Sequence, residues 1–348
     1  MTTSAESSPS ASIHDLFKPD LAGFCVSAGF PAYRADQVWR WLYRQWVSDW
    51  DAMRNVPAAL RAALAERFRL DAATLTDAAV DAGGTRKVLV ALRDGERVEA
   101  VLLPARGRRT VCISCQVGCR FACTFCASGQ AGFRRQLSPG EMVGQVLVAA
   151  RLLRERPSHV VFMGMGEPLD NVDAVLRAAR ILNDPDGLSI GARRITISTC
   201  GVIPGIERLA GEGPQFELSV SLHAPDDALR SRLMPVNKRY PLAELLAACG
   251  AYARRTGRIV TFEYTLIRGV NDRPEQAAAL ARLLAPLPCR VNLIPLSEVA
   301  EFTAVSAPAE TADAFVAELA RHGVNATLRR SKGSAVQAAC GQLRYRAP

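Results

Sequence analysis

The chain has 348 residues, 49% of them hydrophobic, and a net charge of +9. That length supports one large core of roughly two to three hundred residues with a smaller appendage. No apolar run approaches the roughly 18 residues of a membrane span, and the opening MTTSAESSPSAS lacks the blocks of a secretion signal, so a cytoplasmic protein with a disordered tail over residues 1–15 is expected. Ten cysteines, five of them between Cys112 and Cys126, point in a chain of this size to metal or thiol chemistry rather than to a disulfide scaffold.

From Asp20 to Leu70 the pattern is helical and rich in Trp and Leu, and residues 16–72 read as a small helical accessory domain. In RADQVWRWLYRQW, residues Val38, Trp41, Leu42 and Gln45 recur at helical spacing and predict one amphipathic face. Residues 73–105 then alternate apolar and polar positions around Asp94-Gly95, which predicts a β-hairpin linker. Residues 106–348 form the remaining domain. Within it, Ser138, Pro139 and Glu141 cap a helix whose buried face is Met142, Val143, Val146, Leu147 and Ala150. Six short apolar runs follow, HVVFMG, RITIST, FELSVSL, IVTFEYTLI, RVNLIP and NATLRR, most of them separated by helical stretches. Repeated strand then helix means parallel strands with right-handed crossovers, so an α/β barrel or open sheet with ligands at the carboxyl ends of the strands.

The surplus positive charge is clustered at Arg106, Arg108 and Arg109, at Arg134 and Arg135, at Arg193 and Arg194, at Lys238 and Arg239, and at Arg329, Arg330 and Lys332. Any one pair is compatible with a solvated surface; together they point to a polyanion such as nucleic acid.

The segment CRFACTFC places Cys119, Cys123 and Cys126 at C-x3-C-x2-C spacing, close enough to wrap one inorganic cluster. A structural zinc site would need a fourth ligand, recruited from Cys112, Cys115 or Cys340, because no second pair with zinc spacing follows. A [4Fe–4S] cluster held by three thiolates leaves one iron open to a cofactor or substrate.

That spacing resembles the radical S-adenosylmethionine enzymes, and VVFMGMGEPLDN resembles their glycine-rich motif for the methionyl end of the cofactor. RVEAVLLP, TVCISCQVGC, SVSLHAP with RLMPVNKRY, and AACGQLR narrow the resemblance to the RlmN family, which methylates C2 of an adenine in 23S rRNA, and its sibling Cfr, which methylates C8. The likeness runs from about Asp20 to Arg346.

The resemblance implies a partial (βα)6-type radical barrel with a helical accessory domain that helps grip folded RNA, a [4Fe–4S] cluster on Cys119, Cys123 and Cys126, and two S-adenosylmethionine molecules per turnover. It implies that Cys340 is methylated by the first cofactor molecule and activated by a radical from the second. Cys340 then joins covalently to the base, and Cys112 releases the product by forming a disulfide. Glu99 matches the general base. Gly166, Glu167, Ser198, Ser221, Leu222, His223 and Ser297 match cofactor contacts, although Ser297 stands where the family usually has asparagine. Cys115 and Cys200 stand where serine is more common. Arg108 and Arg109 are candidates for holding Cys112 as a thiolate.

The implied partners are 23S rRNA, transfer RNA for some family members, and an electron donor such as flavodoxin; a monomer without a membrane is expected. The sequence leaves open C8 methylation, a glycyl-radical activating enzyme that would have no use for Cys340 or Glu99, and a non-catalytic zinc-stabilised nucleic-acid-binding protein. QVGC and the accessory domain resemble the C2 enzyme more closely.

Overall fold

A computed structural model describes residues 11–297, 299–329 and 333–345. Arg330 and Lys332 of the last basic cluster, and Arg346, lie outside the described residues. The N-terminal unit comprises β1 (Ala11–Ser12), α1 (Lys18–Ser27), α2 (Arg34–Arg44), α3 (Ala58–Arg67) and β2 (Phe68–Arg69), with β1 and β2 paired in parallel. Residues 11–15, expected to belong to a disordered tail, are instead packed. Ile13 and His14 are buried, and the His14 ring bonds Tyr43 Oη at 3.2 Å and the Leu70 carbonyl at 3.1 Å.

The buried face of α2 is Ala35, Val38, Trp39, Leu42 and Tyr43, rotated by about one position from the predicted stripe. The cause is packing on two sides. Trp39 and Tyr43 face His14 and the barrel, and Trp39 Nε1 donates to Asp184 Oδ1 at 3.1 Å. Trp41 stays half-buried at the rim and donates to Asn55 Oδ1 at 2.6 Å, while Gln45 is exposed.

The second unit begins with β3 (Thr74–Val80), β4 (Arg86–Ala91), β5 (Arg97–Ala105) and β6 (Arg108–Cys112), then β7 (Gln116–Gly118), α4 (Ala127–Gln130) and β8 (Phe133–Gln136). It continues with α5 (Pro139–Leu153), β9 (His159–Phe162), α6 (Val172–Asn183), β10 (Ile195–Thr199), α7 (Ile203–Ala210) and β11 (Glu217–Ser221). The last elements are α8 (Asp227–Leu233), α9 (Leu242–Thr256), β12 (Val260–Leu266), α10 (Pro274–Leu284), β13 (Cys289–Pro295), α11 (Ala309–Arg321) and β14 (Ala326–Leu328).

Each of the six apolar runs forms one strand, β9 to β14. They lie side by side in chain order in a ten-stranded sheet, β14-β13-β12-β11-β10-β9-β6-β5-β4-β3. Sequential neighbours joined through helices require same-handed crossovers, so the helices cover one face and the other curves inward as an incomplete barrel. The capping box of α5 forms as read, with Ser138 Oγ accepting from the Glu141 N–H at 3.2 Å and Glu141 accepting from the Ser138 N–H at 2.9 Å.

The hairpin around Asp94-Gly95 forms between β4 and β5, but it is no detached linker. It continues the barrel's own sheet through β6, which pairs antiparallel with β5 and parallel with β9, Val111 opposite Val160. TVC is therefore the first parallel strand of the barrel, and the cysteine segment follows its carboxyl end.

Candidate active site

The cysteine loop is held by its backbone. Gly118 has φ +75°, and a Cβ there would overlap the Gly132 carbonyl, which accepts from the Cys119 N–H at 2.8 Å. Only glycine permits that closure, the physical reason for the glycine in QVGC. Beyond it, the Thr124 N–H donates to the Leu233 carbonyl at 3.0 Å, and Ala122 holds the left-handed conformation at φ +50°. Cys119, Cys123 and Cys126 all line one cavity of about 160 Å³ at the carboxyl ends of the strands.

Most of the expected cofactor residues meet in that cavity: Gly166, Glu167, Ser198, Ser221, His223 and Ser297 line it. Leu222 does not. Its side chain is buried in the core and its N–H donates to the Glu263 carbonyl at 3.0 Å, so it positions its neighbours through the main chain. Gly166 has φ +100°, and a Cβ there would lie 2.5 Å from Gln116 Cβ. Glu167 ties loops together: its Oε1 accepts from the Leu169 N–H at 2.9 Å and its Oε2 from the Cys200 N–H at 2.7 Å. Burial raises its pKa against these bonds, which lower it.

His223 sits at φ +58° with its ring edge-on to Phe125. Its Nδ1 accepts from the Thr265 N–H at 2.9 Å, so the neutral ring carries its hydrogen on Nε2. Burial pushes its pKa down to about 3, with the nearby Arg230 charge acting in the same direction.

A second, larger cavity of about 540 Å³ adjoins the first and runs through the barrel interior. Alternate residues of each strand line it, as a period of two dictates: Arg108, Thr110 and Cys112 on β6, Thr261 and Glu263 on β12, Arg290 and Asn292 on β13. Barrels are ordinarily filled by branched apolar side chains; this one keeps an open well whose wall mixes charged, polar and apolar side chains.

Cys340 lines both cavities and Cys112 lines the larger, so the fold brings the two thiols to one place. Burial raises the Cys112 thiol pKa to about 12, Cys340 is exposed, and the Arg329 guanidinium pulls both thiols down. The expected helpers act otherwise: Arg109 pairs with Glu155 at 2.9 Å, and Arg108 lies on the cavity wall at the amino end of β6. The C-terminal segment is docked on the cysteine loop, where the Ala127 N–H donates to the Gly341 carbonyl at 2.7 Å and Ser128 Oγ to the Leu343 carbonyl at 2.5 Å.

Glu99 is buried behind this segment and lines neither cavity; its oxygens take Lys87 Nζ and the Arg344 N–H, each at 3.2 Å. Cys115 is buried against the Met165 carbonyl, and Cys200 lines the smaller cavity.

Sequence reasoning missed Arg230 and Glu263, and read Arg329 only as part of a basic cluster. Arg230 is fully buried and ties three loops, donating to the carbonyls of Cys200 at 2.7 Å and Ser221 at 3.1 Å and to Asn237 Oδ1 at 2.8 Å. Nothing in LRSRLMP marks it. Glu263 was detectable as a carboxylate in the middle of the apolar run IVTFEYTLI.

An incomplete parallel barrel with three loop cysteines opening on a cavity at its strand ends defines a radical S-adenosylmethionine enzyme. A radical SAM superfamily model matches residues 113–281, and one described as the ribosomal RNA large subunit methyltransferase N-terminal domain matches residues 12–70. A probable dual-specificity RNA methyltransferase RlmN of Moorella thermoacetica is 47% identical over 342 residues, covering 96% of this chain and 97% of that protein. Its counterpart in Geobacillus kaustophilus is 45% identical over 339 residues, covering 97% and 93%. The crystal structure of a radical SAM methyltransferase from Sphaerobacter thermophilus superposes with a TM-score of 0.93 at 47% identity, covering 96% of this chain and 99% of that one. The chain belongs to the RlmN family of radical SAM methyltransferases.

Membership implies a [4Fe–4S] cluster and S-adenosylmethionine. The residues fit them: three soft thiol donors share one cavity with strand-end turns that leave no room for a side chain at Gly166. Among the described residues, no three His, Cys, Asp or Glu side chains are grouped to hold a single metal ion, and no helix is long and apolar enough to cross a membrane.

Proposed function

We propose that this chain methylates C2 of an adenine in 23S rRNA, with transfer RNA as a second substrate, through a methylated Cys340 and a Cys112–Cys340 disulfide. The observation that carries this reading is the position of Cys340, in the wall shared by the cavity beside the cysteine loop and the larger interior cavity, with Cys112 beside the larger. The name dual-specificity RNA methyltransferase borne by the relatives supports more than one RNA substrate.

When bound at Cys119, Cys123 and Cys126, the cluster with S-adenosylmethionine supplies a methyl group and a hydrogen-abstracting radical, which an sp2 carbon of low nucleophilicity requires. Cys340 carries the methyl group between the two cavities. Its methylene carbon joins the base, and Cys112 attacks the Cys340 sulfur to free the product as a disulfide forms. Arg329 favours the thiolate at both positions. Glu99 is the base for the C2 proton in this reading. It lines neither cavity and is joined to the Cys340 segment through Arg344, so proton transfer involves movement of that segment. Gly166, Glu167, Ser198, Ser221, His223 and Ser297 hold the cofactor, with Leu222 acting through its main chain.

At the amino ends of their strands Arg108, Arg194 and Arg290 line the larger cavity, Arg290 also within 4.0 Å of Glu217, and are suited to phosphates flanking an extruded base. Arg135 is unsuited to that task, since Asp94 and Glu141 already neutralise it. A flavodoxin-type reductant, a monomeric state and a cytoplasmic location belong to the same reading.

The test is anaerobic turnover of reconstituted protein with an unmodified 23S rRNA fragment, followed by nucleoside mass spectrometry. 2-Methyladenosine is expected. 8-Methyladenosine would move the reaction to the other carbon, and no methylated adenosine from a preparation that cleaves the cofactor would remove the substrate assignment.

A further inference from the structure

Glu263 stands in the middle of β12, a strand buried along its whole length, with its side chain in the barrel interior and 4% exposed. Only one of its oxygens is satisfied. Oε1 accepts from Ser219 Oγ at 2.7 Å and from Asn292 Nδ2 at 3.1 Å. Oε2 is buried without a hydrogen bond and faces Arg329 Nη1 at 3.6 Å, within ion-pair range but beyond hydrogen-bond length. A buried carboxylate oxygen left in that state is costly, and it is expected where a ligand completes the bonding.

Glu263, Arg329 and Cys340 line both cavities. The shared wall presents a hydrogen-bond acceptor, a donor 3.6 Å from it and the reactive sulfur. The edge of adenine presents the complement: the N6 amino donor, the N1 acceptor and C2.

We propose that Glu263 and Arg329 are the base-recognition pair of this enzyme. Glu263 Oε2 accepts from the N6 amino group, and Arg329 donates to the ring nitrogen beside the reacting carbon, which holds that carbon against Cys340. The proposal rests on the adenine reading above. The order of donor, acceptor and carbon recurs along N6, N7 and C8, so the pair fixes which base is accepted and not which carbon reacts.

Two analogues isolate the pair. Purine riboside lacks the N6 amino group. Inosine keeps C2–H but puts an acceptor at position 6 and a donor at N1, so Glu263 would face another acceptor. One good bidentate contact discriminates by about 1–3 kcal/mol, or about 10- to 100-fold.

The experiment uses reconstituted holoenzyme and one RNA stem-loop carrying adenosine, purine riboside or inosine at the target position. Affinities are measured by fluorescence anisotropy, and methylation by competition between RNAs in one reaction. Wild type is expected to prefer adenosine to both analogues by about 10- to 100-fold, and Glu263→Gln, whose amide can donate to O6, to narrow the adenosine-to-inosine ratio about tenfold. A ratio unchanged in Glu263→Gln, with affinity for S-adenosylmethionine lowered instead, would make Glu263 a cofactor ligand and overturn the proposal. Equal use of adenosine and purine riboside by wild type would overturn it even if the variant does not fold. If none of the RNAs is methylated, the adenine reading fails, and this proposal with it.

Discussion

The backbone N–H of Arg344 donates to Glu99 Oε2 at 3.2 Å, which fastens the Cys340 segment to the first half of β5. Lys87 Nζ holds Oε1 of the same carboxylate at 3.2 Å and donates to the Gln337 carbonyl at 3.3 Å. One buried ion pair thus organises the segment on both sides of Cys340. Glu99→Ala leaves Lys87 uncompensated and is expected to cost about 3 kcal/mol in chemical denaturation. It should also speed tryptic cleavage after Arg344 several-fold, whereas Glu99→Gln keeps an acceptor for Arg344 and its near-native protection. Unchanged proteolysis of Glu99→Ala would show that the clamp is not what orders the segment.

Arg329 is the cation that lowers the thiol pKa at Cys112 and Cys340, opposing at Cys112 the larger effect of burial. Removing it leaves less thiolate. Arg329→Met is expected to slow iodoacetamide alkylation of Cys340 at pH 8 by roughly threefold or more, read by peptide mass spectrometry. A faster reaction in the variant would mean that the guanidinium shields the sulfur rather than activating it.

Gly166 has φ +100° and no room for a methyl group, because Gln116 is itself fixed by the Glu167 N–H and Asp170 Oδ2, each at 2.8 Å. Gly166→Ala is expected to lose about 1–3 kcal/mol of stability. Affinity for S-adenosylmethionine should fall about tenfold or more in calorimetry, with iron and sulfide content retained. Wild-type affinity in the variant would exclude this turn from the cofactor site.

Two buried histidines make the fold acid-sensitive. Burial pushes the His14 pKa down to about 4, and that of His223 to about 3. Below pH 6.5 the unfolded chain takes up protons that the folded chain refuses, so stability is complete above that pH and declines as pH falls toward 4. Each histidine should remove about 2 kcal/mol at pH 5. The loss of thermal stability between pH 7.5 and 5 should be smaller in His14→Gln than in wild type, and an equal loss would mean that His14 is not the proton acceptor.

The parallel strands β9 to β14 were legible because each is a short apolar run with β-branched residues, bounded by helices whose caps are written in the sequence, as in Ser138-Pro139-Gly140-Glu141. β6 was not. TVC is too short to announce its pairing, and only the register of Val111 opposite Val160 shows that it opens the barrel. The cysteine triplet was legible because its spacing is local, whereas the meeting of Cys112 with Cys340 depends on the whole sheet closing between them. Among the arginines, charge alone could not tell Arg329, turned into the site, from Arg109 and Arg135, which are neutralised by neighbours on other elements.

The central claim is that Cys340 carries carbon to the RNA and Cys112 releases it. Reconstituted Cys112→Ala, turned over anaerobically with substrate RNA and resolved by denaturing electrophoresis and mass spectrometry, tests it most directly. The account predicts a covalent protein–RNA species joined through one carbon at Cys340. Free methylated RNA at the wild-type rate, with no such species, would contradict it.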